Sequence, residues 1–289
     1  MRDFTHIYAV AKYGSKTSGS DFASFIDRLG VSVDEINPNR YFRDGTITRA
    51  FRVEEPSFDA NVLRATLAAE LLATKSIDTR LNTTVVGGDA TESAVRIRFD
   101  DGTDSYFDGL VIATYAGINA LRNELGLELI PTTFELTEVL LGEVSDALLG
   151  HGFTVMDGPF WSLMPFGHSQ LVSLTSVGLT PLRRSDGQPR FSCQIRRTGC
   201  EPLHLADCTT CSVRPPTASE HQLQQLKLFL KEPNPFVAKS SLLTVKAILA
   251  STEVDDARPT LIHKERDTNV WTLFSGKVSS LFDLELALT

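Results

Sequence analysis

The amino-acid sequence predicts a mixed α/β fold in which α/β blocks flank a β-rich middle. From about residue 59 to 113 a helical pattern, a strand, a hairpin and an apolar strand follow one another. From 133 to 180 short strand patterns alternate with turn residues. With 289 residues, the chain is long enough for one large domain or two interleaved domains.

The first elements are predicted from apolar spacing and capping residues. Residues 17–30 are predicted to form a helix, capped by Ser18 or Ser20 and ended by Gly30. Residues 42–53 indicate two extended pieces around an Asp-Gly turn. Asp59 is predicted to cap a second helix, in which leucines recur every four residues.

The middle and the end of the chain give clearer strand signals. A strand over 83–86 is expected to stop at a glycine pair, and 95–107 predicts a hairpin around Asp101-Gly102. The apolar run over 110–113 is typical of a strand covered on both faces. Further strands are predicted near 135–141, 152–156, 162–165, 171–175 and 269–274, and helices from a capping box at 217–220, over 240–250 and over 277–288.

Composition limits the classes of function. The net charge is −8 with a pI near 5.3, which argues against nucleic-acid binding because phosphate contacts need clustered Lys and Arg. No apolar run reaches the ~18 residues of a membrane span, and the first residues lack the apolar core of a signal peptide. We therefore expect a cytoplasmic protein without a membrane span.

Three segments together carry a family resemblance. They are 51–56 leading into the Asp59 helix and the strand at 85–86, the run DGLVIATYAGIN over 108–119, and RPT at 258–260 followed after a strand by SGKV at 275–278. In order and spacing they resemble the D-amino-acid-oxidase/glycine-oxidase superfamily of FAD-dependent oxidoreductases. The resemblance implies a partial FAD-binding Rossmann-like domain (51–125 and 251–289) interleaved with a β-rich substrate domain (1–50 and 126–250).

The resemblance also implies site residues. Arg258 would hold a substrate carboxylate, for which a guanidinium offers two parallel hydrogen bonds, although an ion pair with Asp255 or Asp256 is an equal alternative. Lys277 would lie near the flavin or point outward. The implied cofactor-binding residues are Val85, Val86, Ala113, Thr114, Tyr115, Ala116, Asn119, Ser275, Gly276, Lys277 and Val278. Tyr115 stands where many relatives have a small residue.

The family's most specific motif is missing. Gly-x-Gly-x-x-Gly, which cradles the FAD pyrophosphate at the N-terminus of a helix, occurs nowhere in the sequence. We therefore expect an N-terminally truncated form, explained either by a shortened gene or mis-assigned start, or by a complementing N-terminal polypeptide. FAD retention by this chain alone is doubtful on this ground.

All four cysteines lie within residues 193–211, inside the irregular, proline-rich stretch 185–216. Cys193, Cys200, Cys208 and Cys211 have the spacing C-x6-C-x7-C-x2-C, and the last pair is a good chelating half-site. A cytoplasmic setting favours metal over disulfide. Structural zinc, free thiols, and disulfides or an iron–sulfur cluster remain the alternatives.

The sequence thus predicts an oxidoreductase that acts, in its full-length form, on a C–N or C–O bond of a small carboxylate-bearing substrate. The alternative is a non-catalytic binding or interaction protein derived from such an enzyme, with a structural metal site. The six histidines are scattered and suggest no hydrolytic site.

Overall fold

The computed structural model describes residues 4–30, 33–250, 260–277, 282, 283 and 285. The chain divides into two compact units, each assembled from three stretches of sequence. Unit 1 comprises 1–77, 138–182 and 216–243, and unit 2 comprises 78–137, 183–215 and 244–289. The described residues form a mixed α+β architecture, which confirms the predicted fold class.

Helices and strands alternate in the first half of the chain, and strands dominate the second. The helices are α1 (Gly19–Arg28), α2 (Ala60–Ala73), α3 (Ile118–Glu124) and α4 (Ser219–Phe229). The strands are β1 (Thr5–Ala11), β2 (Val33–Ile36), β3 (Ile47–Val53), β4 (Val85–Ala90), β5 (Val95–Phe99), β6 (Asp104–Phe107), β7 (Leu110–Ile112), β8 (Thr132–Val144), β9 (His151–Met156), β10 (Trp161–Pro165), β11 (Val172–Ser176), β12 (Pro181–Asp186), β13 (Phe236–Leu249), β14 (Leu261–Lys264) and β15 (Val270–Phe274).

Unit 1 is organised around a large mixed sheet. The strands that lie wholly within this unit have the order β11-β10-β9-β1-β3-β2. β1 runs parallel to β9 and antiparallel to β3. Alternate residues of β1, such as Ile7 and Ala9, pack into a core that also takes in Leu226 and Leu230 at the end of α4.

The two N-terminal helices begin at the predicted capping residues. The Ser18 hydroxyl accepts a hydrogen bond from the backbone N–H of Asp21, and the Asp59 carboxylate accepts from Asn61 and Val62. Asp59 also accepts from the backbone N–H of His168, and these backbone donors lower the pKa of its carboxyl group. α2 is apolar in composition, yet none of its residues is buried.

Unit 2 contains two three-stranded sheets. β4, β5 and β6 form an antiparallel meander, and β14 and β15 form an antiparallel pair whose second strand runs parallel to β7. β7 has one hydrogen-bonded neighbour among the described strands. Its Val111 side chain is 41% exposed, so the prediction of a strand covered on both faces is wrong for the described residues.

Three further predictions are corrected by the structure. Residues 240–250 lie largely in β13, because Leu243, Val245, Ala247 and Leu249 alternate at the two-residue period of a strand. β4 runs through the glycine pair at 87–88, where β5 packs so closely that a Cβ on Gly88 would approach the Arg96 carbonyl to 2.4 Å.

The third correction concerns the capping box at 217–220. The N-cap residue of α4 is Ala218, and no side chain of the helix caps it. The buried Glu138 carboxylate accepts hydrogen bonds from the Thr217 hydroxyl at 2.8 Å and the Ala218 N–H at 2.9 Å. A strand residue distant in sequence therefore supplies the negative charge that favours a helix N-terminus.

No helix among the described residues combines the length and the apolar character that crossing a membrane requires.

Candidate functional site

The first candidate site in unit 2 is the turn that follows β7. Ala113 and Thr114 are exposed at the end of the strand, and residues 115–117 form a single 3₁₀ turn that leads into α3. Tyr115 adopts a φ of 46°, an uncommon left-handed conformation for a bulky residue. Its ring stacks on Phe274 at 5.7 Å between centroids, and its hydroxyl accepts from the Ala247 N–H at 3.4 Å.

Asn119, a predicted cofactor-binding residue, is buried and engaged in structural hydrogen bonds. Its amide nitrogen donates to the carbonyls of Ile130 at 2.7 Å and Gly187 at 2.6 Å. Its amide oxygen accepts from the Ile130 N–H at 3.0 Å, and the residue is 0% exposed. These contacts join α3 to the start of β8 and to the turn after β12.

Arg122 fixes α3 against the β14–β15 pair. Its guanidinium lies 2.6 Å from the Glu265 carboxylate and donates to the Thr272 hydroxyl at 2.5 Å and the Glu128 carbonyl at 2.7 Å. The arginine side chain is 2% exposed and the glutamate 14%. A buried charge with a partner and further acceptors is strongly held, so the end of β15 has a fixed position relative to α3.

The end of β15 carries the remaining cofactor-site predictions. The Ser275 hydroxyl accepts from the Lys277 N–H and donates to the Lys277 carbonyl, both at 3.2 Å, and this local turn leaves Gly276 exposed. Val85 and Val86 lie half-buried in β4. Arg258 and Val278 lie outside the described residues.

A titratable cluster in unit 1 was missed by sequence reasoning. His6 on β1 is 2% exposed, with Nδ1 2.8 Å from the Glu55 carboxylate and Nε2 3.0 Å from the Thr154 hydroxyl. The Tyr8 hydroxyl donates to Glu55 at 2.6 Å. Hydrogen bonds from His6 and then Tyr8 lower the pKa of Glu55, while burial and the neighbouring carboxylate raise the pKa of Tyr8.

His6 and Tyr8 occupy alternate positions of β1 and so lie on one face, but no alternation of polar and apolar residues in the sequence singled them out. β9 supplies Thr154 opposite Tyr8, and β3 leads directly to Glu55. The cluster therefore holds a carboxylate, a phenol and an imidazole together beside half-exposed sheet residues, an arrangement that can bind or orient a polar group.

The four cysteines of the chain meet around one narrow cavity in unit 2. Its lining consists of Leu136, Cys193, Gln194, Arg197, Cys200, Ala206, Cys208, Cys211, Val213 and Arg214. All four thiols are free, and burial raises the pKa of Cys208 to about 11. Across the described residues, no three His, Cys, Asp or Glu side chains stand in an arrangement ready to hold a metal, so the predicted zinc site is not preformed.

The residues present match a flavin nucleotide in part. Exposed small residues at the end of β7 allow close approach of a bulky ligand. The sequence, however, has no Gly-x-Gly-x-x-Gly turn to cradle a pyrophosphate, and Asn119 is committed to structural contacts. The described residues therefore do not fit the whole cofactor.

Comparison with known proteins finds solved structures with a similar fold. No family model matches the sequence, and no curated protein matches it. The glycine oxidases from Geobacillus kaustophilus and Bacillus cereus ATCC 14579 superpose with TM-scores of 0.59 and 0.61 at 13% and 10% identity. L-amino acid deaminase from Proteus myxofaciens superposes with a TM-score of 0.59 at 9% identity.

The likeness covers nearly all of this chain and about two thirds of each of the others. The matched share is 96% of this chain in all three cases, against 67% of the first oxidase and 68% of the other two proteins. The predicted resemblance to the D-amino-acid-oxidase/glycine-oxidase type is confirmed at the level of the fold.

Proposed function

We propose that this chain is the larger part of an FAD-dependent oxidoreductase that oxidises a C–N or C–O bond next to a carboxylate. The observation that carries the proposal is the likeness of 96% of the chain to two glycine oxidases and an L-amino acid deaminase. Bound FAD would supply the hydride acceptor. The substrate would be a small amino or hydroxy acid, and the setting cytoplasmic, as expected from the sequence.

The role proposed for Arg258 is to hold the substrate carboxylate. A guanidinium pairs with a carboxylate through two hydrogen bonds in a fixed plane, which orients the adjacent carbon. Lys277, Ser275 and Gly276 would line the cofactor side, since Ser275 holds the local turn that exposes the backbone there. The cysteine cluster has no part in this reaction.

We propose that a complementing polypeptide segment supplies the missing Gly-x-Gly-x-x-Gly turn that would bind the FAD pyrophosphate. Two exposed surfaces support its existence. α2 is apolar in composition but exposes Val62, Leu67, Leu71 and Leu72, whereas a helix of this kind is normally buried. Separately, β7 exposes Val111 and has one paired edge among the described strands, so it can accept a further strand.

The test is flavin retention by the purified chain. FAD is added and the excess removed, first with the chain alone and then with a strand–turn–helix segment carrying Gly-x-Gly-x-x-Gly, supplied as an N-terminal fusion or a separate peptide. We expect the flavin absorption bands to be retained only when the segment is present. A segment with alanine at the first two motif glycines is the matched control and should not restore binding.

Two variants on α2 test the docking surface. Leu72→Ser replaces a side chain that is 78% exposed, so it should leave the stability of the chain unchanged but weaken complementation. Glu70→Gln, on the same helix, should change neither the stability of the chain nor the complementation. Flavin retention by the chain alone would refute the proposal of a complementing segment, but it would support the proposal that the chain is an oxidoreductase.

Arg258→Met separates substrate binding from cofactor binding. We expect flavin retention to be unchanged and kcat/KM for carboxylate substrates to fall, with little effect on decarboxylated analogues. An equal loss for both substrate classes would contradict the proposed role of Arg258.

The second candidate function is a non-catalytic binding protein derived from this fold. It is favoured by Tyr115, whose ring lies at the turn where a bulky cofactor would approach. A well-folded chain that retains no flavin even with the cradle segment would support it and overturn the enzyme.

A further inference from the structure

The segment that contains the cysteines has little regular structure to hold it. Between β12 and α4 the described backbone forms a five-residue 3₁₀ helix, Ser192–Arg196, an isolated bridge between Glu201 and His204, and turns. A connection of this length without its own helices or strands is uncommon in a compact domain and normally needs another constraint. Covalent or metal cross-links are the usual means of holding such a segment.

The fold brings all four cysteines of the chain to this one place. Cys193 lies in the 3₁₀ helix and the other three lie in the turns that follow, yet all four line the same narrow cavity, together with Leu136 of β8. Cys208 and Cys211 are joined by a turn in which the Cys211 N–H donates to the Cys208 carbonyl at 3.4 Å. A C-x2-C turn of this kind presents two sulfurs toward one point.

Nitrogen donors contact two of the four sulfur atoms, while the Cys208 thiol donates to the Ala206 carbonyl at 3.5 Å. The Ala206 N–H donates to Cys200 Sγ at 3.5 Å, and Arg197 Nη1 donates to Cys211 Sγ at 3.4 Å. Arg214 lines the same cavity. N–H donors and positive charge around sulfur stabilise thiolates and, in metal sites, orient them.

We propose that Cys193, Cys200, Cys208 and Cys211 bind one zinc ion as a closed structural site. Four thiols would release four protons, and the resulting Zn(SR)₄ centre would carry two negative charges that Arg197 and Arg214 offset. Because the sulfurs are not in ligand geometry in the described structure, zinc would draw the side chains into the cavity. The site is independent of the proposed flavin chemistry, since a four-ligand centre leaves no open position.

Cobalt substitution tests the site without any assay of activity. The full chain is reduced, freed of metal with a chelator and titrated with Co²⁺ under anaerobic conditions. We expect saturation at one equivalent, with thiolate-to-cobalt charge-transfer bands and the visible bands of tetrahedral cobalt, and displacement by one equivalent of Zn²⁺. Zinc in the protein as purified from cells should be found at one equivalent by elemental analysis.

Variants identify the ligands. Removing a residue that only hydrogen-bonds a metal ligand lowers metal affinity by about tenfold or more. Cys193→Ser and Cys208→Ser each remove a ligand itself, so each should weaken zinc binding by more than about tenfold. His204→Ala is the matched control, because this exposed residue lies in the same segment, and it should bind zinc like the parent chain. Metal binding that survives Cys193→Ser but is lost in His204→Ala would overturn the four-cysteine site.

Two further results would overturn the proposal outright. One is a folded, reduced chain that gives no cobalt–thiolate band. The other is an intact mass showing that the chain from the cytoplasm carries two disulfides in place of metal. Both measurements use the parent chain, so they remain decisive if a cysteine variant fails to fold.

Discussion

Replacement of Asn119 tests whether this residue, at the turn after β7, has a structural role or binds the cofactor. Replacement by alanine removes two donated hydrogen bonds and one accepted hydrogen bond. The Ile130 carbonyl keeps a partner in the Thr132 hydroxyl at 3.0 Å, so two groups lose theirs: the Ile130 N–H and the Gly187 carbonyl. An unpaired buried group costs about 1–3 kcal/mol; because Ile130 and Gly187 are half-buried, Asn119→Ala should lower the free energy of unfolding of unit 2 by about 2–4 kcal/mol.

The assay uses the two tryptophans of the chain. Trp161 is buried in unit 1 and Trp271 lies in unit 2, so urea unfolding in a Trp161→Phe background follows unit 2 by the fluorescence of Trp271. No flavin is added at any stage. Asn123→Ala, on an exposed position of the same helix, is the control and should change stability by less than about 0.5 kcal/mol.

The structural role of Asn119 would be refuted if Asn119→Ala were as stable as Asn123→Ala without flavin and differed from it only when flavin was bound. That result would assign Asn119 to the cofactor, as the sequence resemblance implies. A loss of stability without flavin would show that the side chain acts first by joining α3 to the turn after β12.

Four other substitutions have defined outcomes. Gly142→Ala should destabilise unit 1 by about 1–3 kcal/mol in urea unfolding, because its Cβ would approach a β13 carbonyl to 2.3 Å, whereas Gly178→Ala should be neutral, with its nearest neighbour at 3.7 Å. The folded state raises the pKa of the Tyr8 phenol, so the stability that this shift contributes is complete below the phenol's pKa in the unfolded chain, near pH 10, and declines as pH rises above it. Tyr8→Phe should remove this decline in stability above about pH 10. Glu55→Gln should flatten the acid limb of the same stability–pH profile, because a lowered carboxyl pKa gives stability above about pH 4 that is lost as pH falls, and an unchanged acid limb would contradict this. Arg122→Met should cost about 2–4 kcal/mol in urea unfolding, because Glu265, which is 14% exposed, loses its arginine partner and keeps only His263 at 3.3 Å; a smaller loss on also replacing Glu265 with glutamine would identify the pair as the cause.

The sequence predicted correctly those elements whose ends are set by residues close together in the chain, such as capping residues and tight turns. Ser18 and Asp59 cap helices as expected, and the hairpin turns at 101–102. β1 gave no clear signal because it lies between β3 and β9 and is buried on both faces, so apolar and polar residues do not alternate along it. β13 was mistaken for a helix because its leucines and alanines also fit a helical spacing.

The candidate site was predictable only where its residues are neighbours in sequence. The cysteines lie within one stretch, so their spacing already indicated that they act together. By contrast, the partners of Asn119 are 11 and 68 positions away, and Thr154 is 148 positions from His6. Contacts at such separations depend on the topology of the sheets, which periodicity alone does not determine.

The division of the chain into units has a consequence for biosynthesis. Unit 1 is complete only when residue 243 has left the ribosome, and unit 2 also needs the stretch from 244 onward. An early strand such as β1 must then wait for its parallel partner β9 at 151–156, while the intervening segments are synthesised. We expect nascent chains to depend on chaperones, and expression of any single contiguous stretch of either unit to yield insoluble product.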